Sequence, residues 1–154
     1  MIRRDYPIFA LGLGIGIAAT VLAGQARQPE LMNSGVYAWE SLPVETTATG
    51  ERRAVFDSAT RTLDRLETHV TTVKPGTALH APHRHPDEEL MFVREGVLEA
   101  SINGTTQRAP AGSVIFFAAG DLHGVRNAGD TQASYFVLRW TSPGKEGPKP
   151  GGSK

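Results

Sequence analysis

The pattern of polar and apolar residues in the middle of the chain predicts a series of β-strands. From Leu63 to Val73, polar and apolar residues are intermixed on two alternating faces, which indicates one long strand. Shorter apolar runs follow at Leu90–Val93, Val97–Ile102, Ser113–Phe117 and Ala133–Trp140. Turn residues separate these runs about every 8 to 12 positions, a spacing typical of an antiparallel sandwich or barrel. After the N-terminal segment, the sequence has no helical pattern and no internal repeat.

Residues with special backbone preferences mark the turns between these runs. Asn103-Gly104 predicts a type I′ hairpin, because both residue types tolerate positive φ. Further turns are predicted at Pro75-Gly76, Glu95-Gly96 and Pro110–Gly112. Strands and turns together therefore predict an all-β fold.

Three segments before the long strand have a less regular pattern. Val36–Trp39 is either a short strand or a segment packed on the outside of the barrel. Thr46–Arg53 is polar and rich in turn-forming residues, which predicts a connection rather than a strand. Ala54–Phe56 is predicted as an edge strand.

The first 26 residues have the layout of an export signal. A basic start, Met1–Asp5, precedes Ile8–Ala23, an uncharged run of 16 residues that is short for a membrane span. Gly24–Ala26 resembles a small-residue cleavage site. The adjacent arginines near the start loosely resemble a twin-arginine signal, with an ordinary Sec signal or an uncleaved anchor as alternatives. The protein is therefore predicted to be periplasmic or secreted, or membrane-anchored if the signal is not cleaved.

Composition and charge limit the class of protein. At 154 residues and 16.5 kDa, the chain fits one domain with flanking segments. Its 16 basic and 16 acidic residues balance, and no basic tract stands out in the body, so nucleic acid is not an expected partner. The sequence contains no cysteine, which excludes disulfides, thiolate metal ligands and thiol nucleophiles.

The chain is predicted to divide into four segments. Residues 1–26 form the signal peptide or anchor, and residues 27–60 form an N-terminal extension with edge strands. Residues 61–141 form the β domain. Residues 142–154 are predicted to be a disordered tail, because they offer no apolar side chain to bury.

Three histidines and one glutamate have the clearest chemical meaning, namely His83, His85, Glu89 and His123. His83 and His85 are two residues apart, so both side chains leave one face of an extended strand. Glu89 joins that face if the strand continues or turns locally, while His123, 38 residues beyond His85, must come from a neighbouring strand. Imidazole and carboxylate together suit Fe, Mn, Co, Ni, Cu or Zn better than Ca or Mg. The alternative is that the five histidines of the chain are scattered and unrelated.

The spacing of these residues resembles the two motifs of the cupin family. Gly76–Gly96 contains a glycine, HxH, three residues, Glu, six residues and Gly, with the leading glycine one position further from His83 than usual. Gly112–Asn127 resembles the second motif, and Ala118 stands where proline is usual. The resemblance covers residues 63–140. It implies a double-stranded β-helix, the jelly-roll barrel of cupins, and one divalent transition metal held by His83, His85, Glu89 and His123.

The other polar residues near the motifs have weaker functional interpretations. Glu88 leaves the strand on the face opposite its neighbour and is expected in solvent, and Arg84 is expected to be structural. His80 lies either at the pocket mouth or in a plain loop. For His69, on a strand that should line the barrel, a bond to a neighbour or to water is favoured over a role beside the metal. Asn127 is expected to support a turn and a strand.

The inside of the barrel is expected to be mainly apolar around the metal ligands. The residues predicted to line it beside Glu89 are Met91, Val93, Phe117 and Phe136. Residues 134–140 supply Arg139 but no carboxylate that would act as a proton acceptor. The metal is therefore expected to provide most of the chemistry.

Three functions are compatible with this pattern. The resemblance to single-domain cupins implies a small exported metalloenzyme with dioxygenase or related chemistry on a small oxygen-rich substrate. The second is a non-catalytic sensor or carrier of a metal and a small ligand. A purely structural metal site is disfavoured, because three His and one Glu leave coordination positions open. Fold and motif do not choose between the first two functions.

The oligomeric state is predicted only from the same resemblance. Cupins commonly form dimers, so a homodimer is expected. Tyr37 and Trp39 are candidates for its interface. Burial of these two aromatic residues within the monomer explains them equally well.

Overall fold

The computed structural model of the protein describes residues 31–144. These residues form one short 3-10 helix and nine β-strands, and none of their helices is long and apolar enough to span a bilayer. The helix is Trp39–Ser41, and the strands are β1 (Val44–Thr46), β2 (Gly50–Ser58), β3 (Arg65–Val73), β4 (Glu88–Glu95), β5 (Val97–Ile102), β6 (Thr105–Pro110), β7 (Val114–Phe117), β8 (His123–Asn127) and β9 (Ala133–Thr141). The all-β prediction is confirmed. The predictions for the export signal and for most of the tail fall on residues 1–30 and 145–154, outside the described residues.

The strands form two antiparallel sheets that pack face to face. One has six strands in the order β1-β2-β3-β9-β4-β7, and the other has three in the order β6-β5-β8. Inward side chains of both sheets share one apolar core, which makes the architecture a jelly roll. Strand β9 pairs with β3 on one side and with β4 on the other. Residues that are far apart in the sequence therefore become neighbours across this sheet.

The interior is apolar towards one end of the barrel and polar towards the other. Buried residues at the apolar end include Val73, Val93, Leu98, Ala109 and Ala133. Towards the other end, the inward positions of three strands of the large sheet become charged. In one row across the large sheet, Glu67 is paired with Arg139, and Arg139 is paired with Glu89. The hydrophobic core and the candidate site therefore occupy different levels of one barrel.

Two turns depend on backbone conformations that favour glycine. In the loop between β5 and β6, Asn103 and Gly104 have φ of 48° and 87°, as the predicted type I′ hairpin requires. Gly96, between β4 and β5, has φ of 75°, and a Cβ there would lie 2.8 Å from the Cα of Ala133. A side chain at position 96 would therefore be both conformationally strained and sterically blocked.

The strand predictions for the N-terminal third need correction. Ala54–Phe56 is part of the longer, nine-residue strand β2, and because β1 pairs only with Glu51–Arg53, Ala54–Phe56 has β3 on one side and lies at the edge of the sheet on the other. The turn predicted over Thr46–Arg53 is confined to residues 47–49, because pairing with β3 draws Gly50–Arg53 into the sheet despite their weak strand propensity. A register shift between Ala54 and Phe56 marks an irregularity in β2.

The segment Val36–Trp39 was predicted to be either a short strand or packed on the outside of the barrel, and it packs on the outside of the large sheet. Val36–Ala38 is not a strand, and the 3-10 helix begins at Trp39. The Tyr37 ring lies 5.1 Å from that of Phe56, and the Arg53 guanidinium lies 4.3 Å from the centre of the Trp39 ring. These contacts explain both aromatic residues within one chain, although Tyr37 and Trp39 each remain 42% exposed.

Candidate metal centre

Three histidines converge at the polar end of the barrel. His83 and His123 form an isolated antiparallel bridge, in which each main-chain N–H donates to the other residue's carbonyl at 2.9 and 3.0 Å. This bridge joins the loop before β4 to the start of β8, and His85 follows two residues later. One ring nitrogen from each histidine lies within 4.8 Å of the others. The predicted convergence of the three imidazoles is confirmed.

Main-chain carbonyl groups set the orientation of two of these rings. His123 Nδ1 lies 2.8 Å from the Asp121 carbonyl oxygen, and His85 Nδ1 lies 3.0 Å from the carbonyl oxygen of Asp87. A carbonyl can only accept, so each Nδ1 carries the hydrogen and each Nε2 presents its lone pair when the ring is neutral. The Phe117 ring stacks on His123 at 4.3 Å and fixes the plane of this imidazole. The rings are therefore held in orientations suitable for metal ligation.

Glu89 lies beside the three rings. Its Oε2 atom is 3.0 Å from His85 Nε2 and 4.0 Å from His123 Nε2. Because His85 Nδ1 already carries a hydrogen, Nε2 and the carboxylate oxygen are two acceptors that need a cation between them, either a proton or a metal ion. Glu89 is not one of the residues whose ligand atoms all lie within 4.8 Å of each other, so it is the peripheral member of the predicted set.

The buried polar atoms at this site fit a metal ion. Within residues 31–144, His83 Nδ1 and His123 Nε2 are buried and have no hydrogen-bond partner. Buried polar groups are otherwise almost always paired, because an unpaired one loses the solvation that it has in water. A divalent ion among the three rings would satisfy such atoms. Three imidazoles next to a carboxylate are a donor set that transition metals prefer.

Burial keeps two of the imidazoles neutral. The pKa of His83 lies below its usual value, mainly because of burial and then because of the positive charges of His80, His123 and His85, which outweigh Glu89. Burial likewise lowers the pKa of His123, against the opposing effects of the Asp121 carbonyl and Glu89. A neutral imidazole is the form that binds a metal, so neither ring needs to lose a proton at neutral pH.

His83, Glu89 and His123 line a cavity of about 280 Å³ that opens to solvent. Its walls combine apolar residues such as Leu79, Met91 and Val125 with polar ones such as Arg52 and Arg139. The expected place of Met91 at the pocket is confirmed, and Phe117 lies against His123. Val93 is fully buried in the core cluster.

The prediction for Phe136 is wrong. The inward residues of β9 are its neighbours Tyr135 and Val137, which are 3% and 1% exposed. Phe136 pairs with Phe92 on the outer face, where Phe92 is 43% exposed. Because successive side chains of a strand point to opposite faces, Phe136 cannot join its two neighbours inside the barrel.

Most of the secondary predictions near the motifs agree with the structure. His80 lies at the cavity, with its ring 4.5 Å from that of His83 in an edge-on contact. Arg84 is exposed and its Nη1 donates to the Gly120 carbonyl, a structural role. The Asn127 side chain donates to two main-chain carbonyls and accepts from the Gly129 N–H, so it supports a turn and a strand. Glu88 is half-buried rather than fully exposed.

Sequence reasoning missed Asp87, a buried carboxylate that organises one wall of the site. Asp87 is 6% exposed and accepts hydrogen bonds from Arg65 Nη1, Thr141 Oγ1 and Arg139 Nη2. It holds the Arg139 guanidinium with its Nε atom 3.7 Å from Glu89 Oε2. Asp87 therefore sets how close this positive charge comes to the ligand cluster. Its position in a run of polar residues gives no local signal of burial.

Sequence reasoning also missed Glu67, a carboxylate on β3 that is 2% exposed. Its Oε1 accepts from Arg52 Nη2 at 2.6 Å and lies 2.7 Å from His69 Nδ1. The last strand has Arg139 at its inward position and no carboxylate there, whereas the paired strand β3 provides the carboxylate of Glu67. His69 is bonded to a neighbouring side chain, as the favoured interpretation predicted, and it also lines the cavity.

Comparison with known proteins finds a family model that matches part of the chain. Residues 69–139, which contain the three histidines and Glu89, match the family model of the cupin domain. This part of the chain is therefore similar to a cupin domain. This match supports the resemblance found in the two motifs and agrees with the jelly-roll topology. A comparison with the curated proteins finds no match.

Solved cupin structures share this fold at low sequence identity. An RmlC-like cupin from Shewanella frigidimarina is 16% identical, with a TM-score of 0.58 over 76% of this chain and 96% of that one. KdgF from a Halomonas species is 15% identical, with a TM-score of 0.58 over 70% and 94%. A predicted oxalate decarboxylase from Thermotoga maritima is 18% identical, with a TM-score of 0.57 over 70% and 99%. At these identities the similarity shows the cupin fold alone.

Proposed function

We propose that this protein is a metal-dependent enzyme of the cell envelope with dioxygenase or related chemistry on a small oxygen-rich substrate. In this proposal one divalent transition metal, among Fe, Mn, Ni, Cu, Co and Zn, is held by His83, His85, Glu89 and His123. The observation that carries it is the convergence of three imidazoles, two of which are kept neutral by burial and line an open cavity.

The ligand set favours a reactive centre over a structural one. Three His and one Glu leave coordination positions free, and the ion would polarise a substrate oxygen or bring O₂ and a chelating substrate together. The protein contributes the binding surface. Met91 and Leu79 provide apolar contact, while Arg52 and Arg139 place positive charge at the cavity wall. This combination suits a small, oxygen-rich and anionic molecule.

The direct test is metal analysis followed by oxygen consumption. The full-length protein is purified without chelator, its metal content is measured by mass spectrometry, and O₂ uptake is followed with catechols, flavonols, diketones and oxalate. Oxalate belongs in the panel because a predicted oxalate decarboxylase is among the similar structures, and CO₂ release is measured with it because decarboxylation consumes no O₂. Uptake with any of these compounds supports the enzyme. Tight binding without turnover would favour the sensor or carrier, and a protein without bound metal would contradict the proposal.

Export to the envelope is a separate part of the proposal, based on the first 26 residues. We expect fractionation of the source cells to place the protein in the periplasm, the medium or the membrane fraction. The mass of the purified protein would then show whether cleavage follows Ala26. Replacement of Arg3 and Arg4 by lysine is expected to block export only if the twin-arginine route is used.

The predicted homodimer stays a prediction. Tyr37 and Trp39, proposed for its interface, make contacts within the same chain and are also partly exposed. Light scattering of the purified protein measures the mass in solution. Replacement of both aromatic residues by serine is expected to produce monomers only if these residues form the interface.

A further inference from the structure

A second pair of ionisable residues lies beside the cavity, on a strand that supplies no predicted metal ligand. Glu67 and His69 are two residues apart on β3, so both point into the barrel. The side chain of Glu67 is 3% exposed and that of His69 is 13% exposed. His69 lines the same cavity as His83, Glu89 and His123. This pair is not required to hold the metal, and it is not explained by core packing.

The Glu67 carboxylate is held in its ionised form. Burial alone would raise its pKa, but the hydrogen bond with His69 and the positive charges of His69, Arg52 and Arg139 outweigh burial, so the pKa lies below its usual value. An ionised carboxylate can only accept hydrogen bonds. The 2.7 Å contact between His69 Nδ1 and Glu67 Oε1 therefore requires the hydrogen on Nδ1.

The bond to Glu67 determines what the other side of the imidazole can do. With Nδ1 as the donor, Nε2 of a neutral His69 carries a lone pair. Among residues 31–144, Nε2 has no hydrogen-bond partner, and the ring borders the cavity. The charged groups around the ring are Glu67 on its own strand, Arg52 on β2, Arg139 on β9 and Glu89 on β4. Its cross-strand neighbours, Ala54 and Val137, are apolar.

We propose that His69 is the proton-transfer residue of this protein, with Glu67 as the residue that positions it. The inference rests on the proposed function, since it assigns a base to the same cavity. The substrate class is a compound with an acidic proton next to its chelating oxygen, such as a catechol, an enol or a β-dicarbonyl. His69 Nε2 takes that proton: the O–H or C–H bond breaks, an N–H bond forms, and the electron pair stays on the substrate as phenolate or enolate. The Glu67 carboxylate then stabilises the imidazolium.

The ring tautomer tests the positioning role without metal or substrate. Nitrogen-15 NMR of histidine-labelled, metal-free protein distinguishes the two neutral tautomers. We expect His69 to carry its hydrogen on Nδ1 in the wild type. In Glu67→Gln, the amide can donate to the ring, and the population is expected to shift towards hydrogen on Nε2. A wild-type His69 with hydrogen on Nε2 would overturn the proposal.

Proton release on ligand binding tests the transfer itself. The metal-loaded protein is titrated with catechol, which is un-ionised at neutral pH, by calorimetry in two buffers of different ionisation enthalpy, which counts the protons that reach the buffer. In the wild type, the first proton of the catechol stays on His69. In His69→Gln, about one more proton per bound catechol is expected in the buffer at neutral pH, because the protein no longer takes it up. The absorbance of the bound catecholate confirms deprotonation in both proteins.

His80→Gln is the matched comparison, because His80 also lines the cavity but has no carboxylate partner. We expect its proton count to equal that of the wild type. An unchanged count in His69→Gln with normal metal content, or a change in His80→Gln instead, would overturn the proposal and leave the metal site intact. A wild type that binds no metal would overturn the proposed function, and the inference with it.

Discussion

His83 and His123 are joined through their main chains as well as placed side by side. Their reciprocal N–H to carbonyl bonds, 2.9 and 3.0 Å long, form an isolated bridge between the loop before β4 and the start of β8. The distance between these two imidazoles is therefore set by backbone pairing, and their ring centres lie 5.0 Å apart. The candidate site is built into the way the two sheets close and does not depend on side-chain rotamers alone.

Loss of a converging imidazole is expected to empty the site. His83→Ala or His123→Ala should lower metal affinity by more than the roughly 10- to 100-fold that loss of a supporting hydrogen bond costs. The measurement is metal content per chain after purification without chelator. His80→Ala is the control, since His80 touches the His83 ring but lies outside the converging group, and it should keep its metal. Unchanged metal content in both ligand variants would refute the site.

The metal-free protein is expected to lose stability in weak acid. Burial lowers the pKa of His83 and His123 in the folded state, so above about pH 6.5 both rings are neutral whether folded or unfolded. Below that pH, the unfolded chain binds protons that the folded chain does not, and the free energy of unfolding falls. This slope is measured by urea unfolding at pH values from about 7.5 to about 5, a range that includes the ordinary histidine pKa of about 6.5.

A variant separates this effect from that of the carboxylates. His123→Gln should have a shallower fall over the same range, because one of the two depressed imidazoles is gone. The lowered pKa of Glu67 acts in a different window, since its contribution is present above about pH 4.3 and is lost as the pH falls further. A pH slope identical in His123→Gln and wild type would show that His123 does not titrate in this way.

Asp87 is expected to act on the metal through Arg139. In Asp87→Ala, the Arg139 guanidinium loses its buried partner, and its Nε already lies 3.7 Å from Glu89 Oε2. The freed cation should turn towards Glu89 and compete with the metal, lowering metal affinity about 10- to 100-fold. Unfolding should also become easier by roughly 1–3 kcal/mol from the unpaired polar groups. Metal titration and urea unfolding measure the two effects.

A second variant identifies the cause of that change. In Asp87→Ala/Arg139→Leu, the competing cation is absent, so much of the metal affinity should return even if the stability does not. An affinity that stays low in the double variant would mean that Asp87 supports the ligands in another way, since His85 Nδ1 bonds the main-chain carbonyl of the same residue.

Gly96 is expected to tolerate no side chain. Gly96→Ala adds a Cβ 2.8 Å from the Cα of Ala133 and from the carbonyl oxygen of Gln132, at φ of 75°. Gly112 has a similar φ of 88° but open space around the added carbon. Gly112→Ala should therefore cost only the conformational strain of about 1–2 kcal/mol, and Gly96→Ala clearly more. Thermal unfolding compares the two, and equal losses would contradict the steric argument.

The sequence predicted the ligand residues because their spacing reports local geometry. Residues 84–87 have no regular strand structure, and β4 begins only at Glu88, yet the even spacing still places His85 and Glu89 within hydrogen-bonding distance. Strand alternation also predicted which residues of β4 face inward. These features depend on a few consecutive residues, which is the range over which a sequence pattern is informative.

Features that depend on strand register could not be predicted in this way. Glu67 points into the barrel because β3 pairs with β9 in one particular register, and a slip of one residue would send it to the outer face. Phe136 was misplaced for the same reason, since nothing in its own strand says which face meets the core. Arg52 and Phe56 lie on either side of the register shift in β2. No local sequence pattern in this segment predicts that shift.

The separation between the apolar and polar ends of the barrel has a consequence for how this protein can change. Residues such as Val73 and Leu98 provide folding stability at one level, while Leu79 and His80 shape the cavity at another. Substitutions at these two residues can therefore alter which molecules are accommodated without weakening the scaffold that carries them. Libraries diversified at both positions should retain folded members in large proportion and differ chiefly in ligand preference.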